Sequence, residues 1–145
     1  MTSANINYFS QNINFSINDE NKISEWLHLI SKSENFNLSE INYIFCNDNF
    51  LYSLNIEYLN HNTFTDVISF DFSERTDQIA GDIYISIERI SENANKFNKT
   101  INNELFRVMA HGLLHLLGYS DKTKSEKLLM TKKEDYYLSL LKNNK

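Results

Sequence analysis

Residues 111–121 read His111-Gly112-Leu113-Leu114-His115-Leu116-Leu117-Gly118-Tyr119-Ser120-Asp121. The leucine pairs on either side of His115 read as a buried, central helix, which makes this stretch the axis of the fold. Residues four apart on a helix stand one above the other, with Cβ atoms roughly 5–6 Å apart. His111 and His115 therefore share a face and can converge on one ion. Gly118 is the expected C-terminal cap, so the chain is free to turn back past the helix end. Asp121 then lies six residues beyond His115, outside the helix, within reach of the same point. Two imidazoles and one carboxylate leave one tetrahedral position open, the ligand count of a catalytic zinc. The plainer alternative is a pair of core-edge imidazoles hydrogen-bonded to backbone.

A structural zinc wants four protein ligands, and Cys46 is the chain's one cysteine. The H-E-x-x-H pattern of zinc peptidases places a glutamate after the first histidine as general base. Gly112 stands there instead. Hydrolysis at this site must therefore rely on a metal-activated water or on an acid from another segment. A peptidase is the weaker reading.

The remaining 134 residues bound the class of protein. With 145 residues in total, the chain is expected to form one domain. A composition 41% hydrophobic and 23% charged argues against disorder. No apolar run approaches the ~20 residues that span a bilayer, and MTSANINYFSQN has neither a basic nor an apolar signal region. One cysteine and no leader predict a cytoplasmic protein. A net charge of −5 argues against a protein that coats nucleic acid non-specifically. It leaves room for a local basic patch, which Lys122, Lys124, Lys127, Lys132 and Lys133 supply. The simplest reading of that patch is a solvated helix face.

The expected elements follow from periodicity. Asn14–Ile17 reads as the end of a first strand, and Asn18 or Asp19 as the cap of a helix with stripe Ile23, Trp26, Leu27 and Ile30. Ile41–Cys46 reads as a strand, followed by a helix capped at Asn47 or Asp48 with stripe Leu51, Leu54 and Tyr58. Val67–Phe72 and Ile83–Ile87 read as two more strands, with Gly81 suiting a turn or a close backbone approach. A helical pattern runs from Ser91 through Phe106, Met109, Leu113 and Leu117, and a last helix presents Leu128, Leu129, Tyr136 and Leu140. These elements predict an α/β (α+β) domain: one mixed sheet of about four strands packed with helices, its metal site at the C-terminal end of a central helix.

At residue level the sequence resembles the YbeY family, metal-dependent endoribonucleases of ribosomal RNA maturation. HGLLHLLGY followed by an acidic residue is similar to the family's H-G-x-L-H-L-x-G-Y-D-H. Leu54-Asn55 with Tyr58 resembles L-N-x-x-Y, Thr65-Asp66-Val67-Ile68-Ser69-Phe70 resembles T-D-V-L-S-F, and Gly81-Asp82-Ile83 with Ile85-Ser86 resembles G-D-I-x-I-S. The matches run from about residue 50 to residue 121 in the family's order. The resemblance implies single-strand-specific RNA cleavage, Zn²⁺ as the metal, and ribosomal RNA and small-subunit components as partners, with no membrane or DNA. It also implies a role in ribosome quality control.

Two departures stand out. The family's third histidine ligand is Asp121 here; the alternative alignment, with Ser120 inserted, puts Lys122 in the ligand's place, and an ammonium is a poor ligand. The family's arginine after L-N-x-x-Y, implied to face RNA phosphate, is Leu59 here, and Phe64 replaces a proline. Arg75, Arg89, Arg107 or a lysine of the basic patch are the available substitutes. Asp66 and Asp82 are candidates to orient metal-bound imidazoles, with strand-end or turn capping as the plain alternative. His28 and His61 are isolated and read as surface or capping residues. Three functions stay in play: a zinc endoribonuclease, a non-catalytic ribosome-assembly factor with a structural or vestigial metal, and another zinc hydrolase such as a peptidase.

Overall fold

The computed structural model of the chain describes residues 5–59 and 65–141. In chain order the elements are β1 (Ile6–Gln11), α1 (Glu20–Ser33), β2 (Asn37–Cys46), α2 (Asp48–Leu59), β3 (Val67–Asp71), β4 (Gln78–Ser86), α3 (Ile87–Lys96), α4 (Ile101–Leu116) and α5 (Lys124–Leu140). The four strands form one mixed sheet in the order β1-β2-β4-β3. β1, β2 and β4 run parallel, and β3 closes the edge antiparallel to β4.

Alternation along β4 decides which face is which. Ile79, Gly81, Ile83 and Ile85 are buried on the side where α1 and α4 pack, within the main core. Asp82 and Tyr84 point to the other side, where Tyr84, Phe50 and Phe70 join a smaller cluster under α2. α4 is the central helix: Leu105, Val108, Met109, Leu113 and Leu116 are buried, and its Met109 carbonyl accepts a 2.9 Å hydrogen bond from the buried Tyr43 hydroxyl of β2. Among the described residues no helix is long and apolar enough to cross a membrane.

α4 lies so close to the sheet that no side chain fits at one of its positions. A Cβ on Gly112 would sit 2.7 Å from Ile83 Cγ2 and 3.2 Å from Ser69 Oγ. Ser69 and Ile83 are cross-strand partners, and the Ser69 hydroxyl donates to the Gly112 carbonyl at 3.1 Å. Packing accounts for this glycine in the place where zinc peptidases carry glutamate. Gly81 faces a similar constraint from the sheet side, its Cβ position lying 2.5 Å from the Phe70 carbonyl oxygen. That is a close backbone approach inside a strand, not a turn.

Several elements differ from the periodicity reading. The first strand is Ile6–Gln11, and Asn12 at φ 67° ends it, leaving Asn14–Ile17 irregular. The helical pattern after β4 is two helices, separated at Asn98 (φ 61°) and restarted at Thr100, whose hydroxyl accepts from the Asn103 amide at 3.0 Å. α5 is rotated: Leu128, Leu129 and Tyr136 are 62%, 45% and 56% exposed, whereas Met130, Glu134 and Tyr137 are buried. Its sequence carries two stripes at helical spacing, and polar anchors choose between them. Trp26 Nε1 donates to the Tyr137 carbonyl at 2.7 Å, and Glu134 meets Arg107 and His111.

The α4–sheet contact carries a prediction. Gly112→Ala gains ~1 kcal/mol of helix propensity yet meets a buried Ile83 methyl, an overpacking cost of typically ~1–3 kcal/mol. Urea unfolding should show a net loss of stability. An unchanged or raised midpoint would mean that this contact is not tight.

Candidate metal centre

Each candidate ligand is set by local structure. His111 and His115 sit on the last two turns of α4 with ring centroids 4.6 Å apart. The helix stops because Gly118 adopts φ 108°, a conformation that favours glycine, and the Tyr119 amide returns to the Leu114 carbonyl at 3.0 Å. Asp121 follows two residues later. α5 then starts from a capping box, in which Thr123 and Glu126 bond each other's backbone amides.

The folded-back segment brings Asp121 Oδ2 to 3.3 Å from His111 Nε2 and 3.5 Å from His115 Nε2, and the two Nε2 atoms lie 3.0 Å apart. Among the described residues this is the one group of three side chains able to hold a metal ion. The outer nitrogens fix its chemistry. His115 Nδ1 lies 2.9 Å from the Tyr119 carbonyl; a carbonyl only accepts, so His115 carries its hydrogen on Nδ1 and turns a lone pair inward. His111 Nδ1 lies 2.5 Å from Glu134 Oε2, the carboxylate–histidine arrangement that orients metal ligands.

Two inward lone pairs and a carboxylate repel one another unless positive charge sits among them. The donor set therefore fits a divalent cation of the borderline class that accepts imidazole and carboxylate together. The same field acts on His111 as a titratable group. Burial disfavours its charged form, but the hydrogen bond and charge of Glu134, with the charges of Asp121 and Asp66, outweigh burial and raise its pKa above the ordinary histidine value.

A cavity of about 370 Å³ opens beside the cluster, lined by His111, Asp121, Asp66, Glu104, Arg107 and Lys127 among others. Burial pushes the Asp66 carboxyl above its usual range despite the opposing pull of His111, which places a reluctant anion on the cavity wall. Asp82 lies elsewhere, and its expected place beside the imidazoles is corrected. It occupies the opposite sheet face, in register with Asn42 and Asn7, and accepts from Asn42 Nδ2 at 3.0 Å. Alternation along β4 forces this outcome once Ile83 faces α4.

Of the cations proposed to replace the family arginine, Arg75 pairs with Asp77 and Arg89 with Asp48, and neither lines this cavity. Arg107 lines it but is held by Glu134 at 2.8 Å and Asp135 at 2.6 Å. Lys127 lines it and makes no ion pair among the described residues. Leu59 ends α2, 40% exposed. His28 lies on α1; His61 and Phe64 lie outside the described residues. Glu134 escaped the sequence reading. Its signal was an acid at an inward position of the Met130, Glu134, Tyr137, Leu141 stripe, hidden by the more apolar stripe beside it.

Comparison with known proteins agrees with this picture. A family profile described as Endoribonuclease YbeY matches residues 5–142. The Endoribonuclease YbeY of Flavobacterium psychrophilum is 52% identical over 132 residues, covering 91% of this chain and 94% of that protein. That of Amoebophilus asiaticus is 47% identical over 138 residues, covering 95% and 94%. A solution structure of a Thermotoga maritima protein superposes with a TM-score of 0.65 at 27% identity, covering 94% of this chain and 88% of that one. With the family's fold and a metal-capable cluster on its H-G-x-L-H motif, the chain belongs to the YbeY family of endoribonucleases, hydrolases that cleave RNA phosphodiester bonds.

Proposed function

We propose that this chain is a single-metal, single-strand-specific endoribonuclease of small-subunit ribosomal RNA, acting in the cytoplasm with Zn²⁺ held by His111, His115 and Asp121. The observation that carries the reading is the convergence of two inward Nε2 lone pairs and one Asp121 oxygen at the wall of a cavity, in a metal-dependent family. Zinc is favoured by the N,N,O donor set with a fourth position left for substrate or water. Such an ion supplies Lewis acidity toward a phosphate oxygen and lowers the pKa of a water it binds. Aspartate in place of a third histidine makes the site one charge more negative and its water less acidic.

The chain's own groups do the positioning. Glu134 holds His111 by Nδ1 and is itself held by Arg107, so the ligand's outer partner is clamped between two donors. The Tyr119 carbonyl holds His115 in the tautomer that leaves Nε2 free. Asp66, Glu104, Asp121 and Glu134 make the cavity wall acidic, and a phosphodiester needs a counter-charge there. Leu59 provides none. Lys127 is the free cation on that wall among the described residues, and it takes the RNA phosphate that the family's arginine would otherwise meet.

Three measurements test this reading. Purified protein should bind about one equivalent of zinc, and Asp121→Ala, which removes a ligand rather than a ligand's support, should weaken binding by more than the ~10–100-fold typical of outer partners. A single-stranded ribosomal RNA fragment should be cleaved by the wild type and not by His115→Ala; equal cleavage by both would sink the enzyme assignment. Lys127→Ala should raise KM for RNA while kcat changes less, and should reduce the salt dependence of binding by about one phosphate contact. An unaltered salt slope would remove Lys127 from the RNA path.

A further inference from the structure

The metal cluster is tied to a carboxylate on an element that contributes nothing to the cavity. Glu34 caps the C-terminal end of α1, with its side chain 11% exposed. Its Oε1 accepts from the Tyr119 hydroxyl at 2.6 Å. Its Oε2 accepts from Lys133 Nζ at 2.9 Å and from the Tyr137 hydroxyl. The Lys133 ammonium also lies over the Tyr119 ring, 5.5 Å from its centroid. One carboxylate thus joins the end of α1, the turn after α4, and α5.

Tyr119 matters because of what its backbone does. Its carbonyl is the group that holds His115 Nδ1, and Asp121 hangs from the chain two residues later. The peptide before it belongs to Gly118, the least restrained joint in the turn. At its far end the segment is tied to α5 by Glu126, which accepts from the Lys122 amide at 3.0 Å and meets the Ser120 side chain. The Tyr119 phenol, fixed by Glu34, is the side-chain anchor at the near end of the return loop, next to the carbonyl on His115. α5 therefore supports both histidines: Glu134 grips His111 directly, while Lys133 and Tyr137 hold the carboxylate that holds the residue gripping His115.

The geometry points to Glu34 as a positioning residue of the metal centre, acting through Tyr119 to set the plane of the His115 ring and the reach of Asp121, and so the affinity for the ion. This rests on the metal-site reading above. A purely structural role for the same network predicts something different: each hydroxyl removed from Glu34 should cost stability, and metal affinity should follow stability alone. Tyr119→Phe and Tyr137→Phe distinguish the two, because each removes one donor to the same carboxylate and only Tyr119 carries the carbonyl on His115.

Zinc affinity of the full-length protein is measured by competition with a chromophoric chelator, alongside thermal unfolding of the metal-free forms. Tyr119→Phe and Glu34→Gln should weaken zinc binding about 10-fold or more, in the range of outer-partner loss. Tyr137→Phe should change it less than about threefold at a comparable loss of Tm. Long-range ¹H–¹⁵N spectra of the metal-free protein give a second readout: His115 should hold the Nδ1–H tautomer in the wild type and in Tyr137→Phe, and mix tautomers in Tyr119→Phe. Wild-type binding left intact by Tyr119→Phe and Glu34→Gln would overturn the positioning role alone. Affinity falling equally in both Tyr→Phe variants would likewise overturn it in favour of a structural one. A wild type that binds no zinc would overturn the metal reading and this inference together.

Discussion

The closeness of α4 to the β3–β4 pair is the constraint on which the site depends. At Gly112 the helix backbone rests against Ile83 and Ser69, and the Ser69 hydroxyl bonds the Gly112 carbonyl. This contact sets both the height and the rotation of the helix. With Gly112 facing the sheet, His111 and His115 stay partly exposed rather than in the core, and Asp66, just before β3, comes to the cavity wall. A side chain at Gly112 would press on Ile83 and Ser69, so that the helix or those neighbours would have to shift. The position after the first histidine, a glutamate in zinc peptidases, is therefore too close to the sheet for a side chain without rearrangement, and the carboxylate on His111 comes from Glu134 on another helix.

The electrostatics follow from that placement. Four carboxylates line or support a cavity whose one clamped cation is Arg107, so the wall is negative and the ligand nitrogens face inward. Such a wall favours a metal ion, and Lys127 is the lining cation that makes no ion pair among the described residues. The net charge of −5 argues the same way at the scale of the whole chain: it disfavours a coat of positive charge along nucleic acid.

Much of the site was legible because it is local. The i, i+4 histidines, Gly118 as terminator and Asp121 as the returning residue all follow from helix geometry over eleven residues, and the core strands followed from β-branched and aromatic runs. Two of the misreadings share a cause. α5 carries two stripes at helical spacing, and periodicity ranks them by apolar content, which favoured Leu128, Leu129, Tyr136 and Leu140. The folded chain chose Met130, Glu134, Tyr137 and Leu141, because Glu134 is needed opposite His111 and Arg107. Asp82 was misplaced for a related reason: a strand's two faces are equivalent until something packs on one of them.

By itself the sequence determined the central helix, the identity of the three converging side chains, the loss of the peptidase glutamate and the family, all properties of short segments in fixed order. Only the tertiary structure decided which cations line the cavity, which acid meets His111, and that Glu34, 81 residues before His115, is joined to that histidine by hydrogen bonds through Tyr119. Hydrogen bonds between α1, the α4 turn and α5 depend on how helices dock. Docking is settled by shape and polar pairing across the whole core, which no local periodicity encodes.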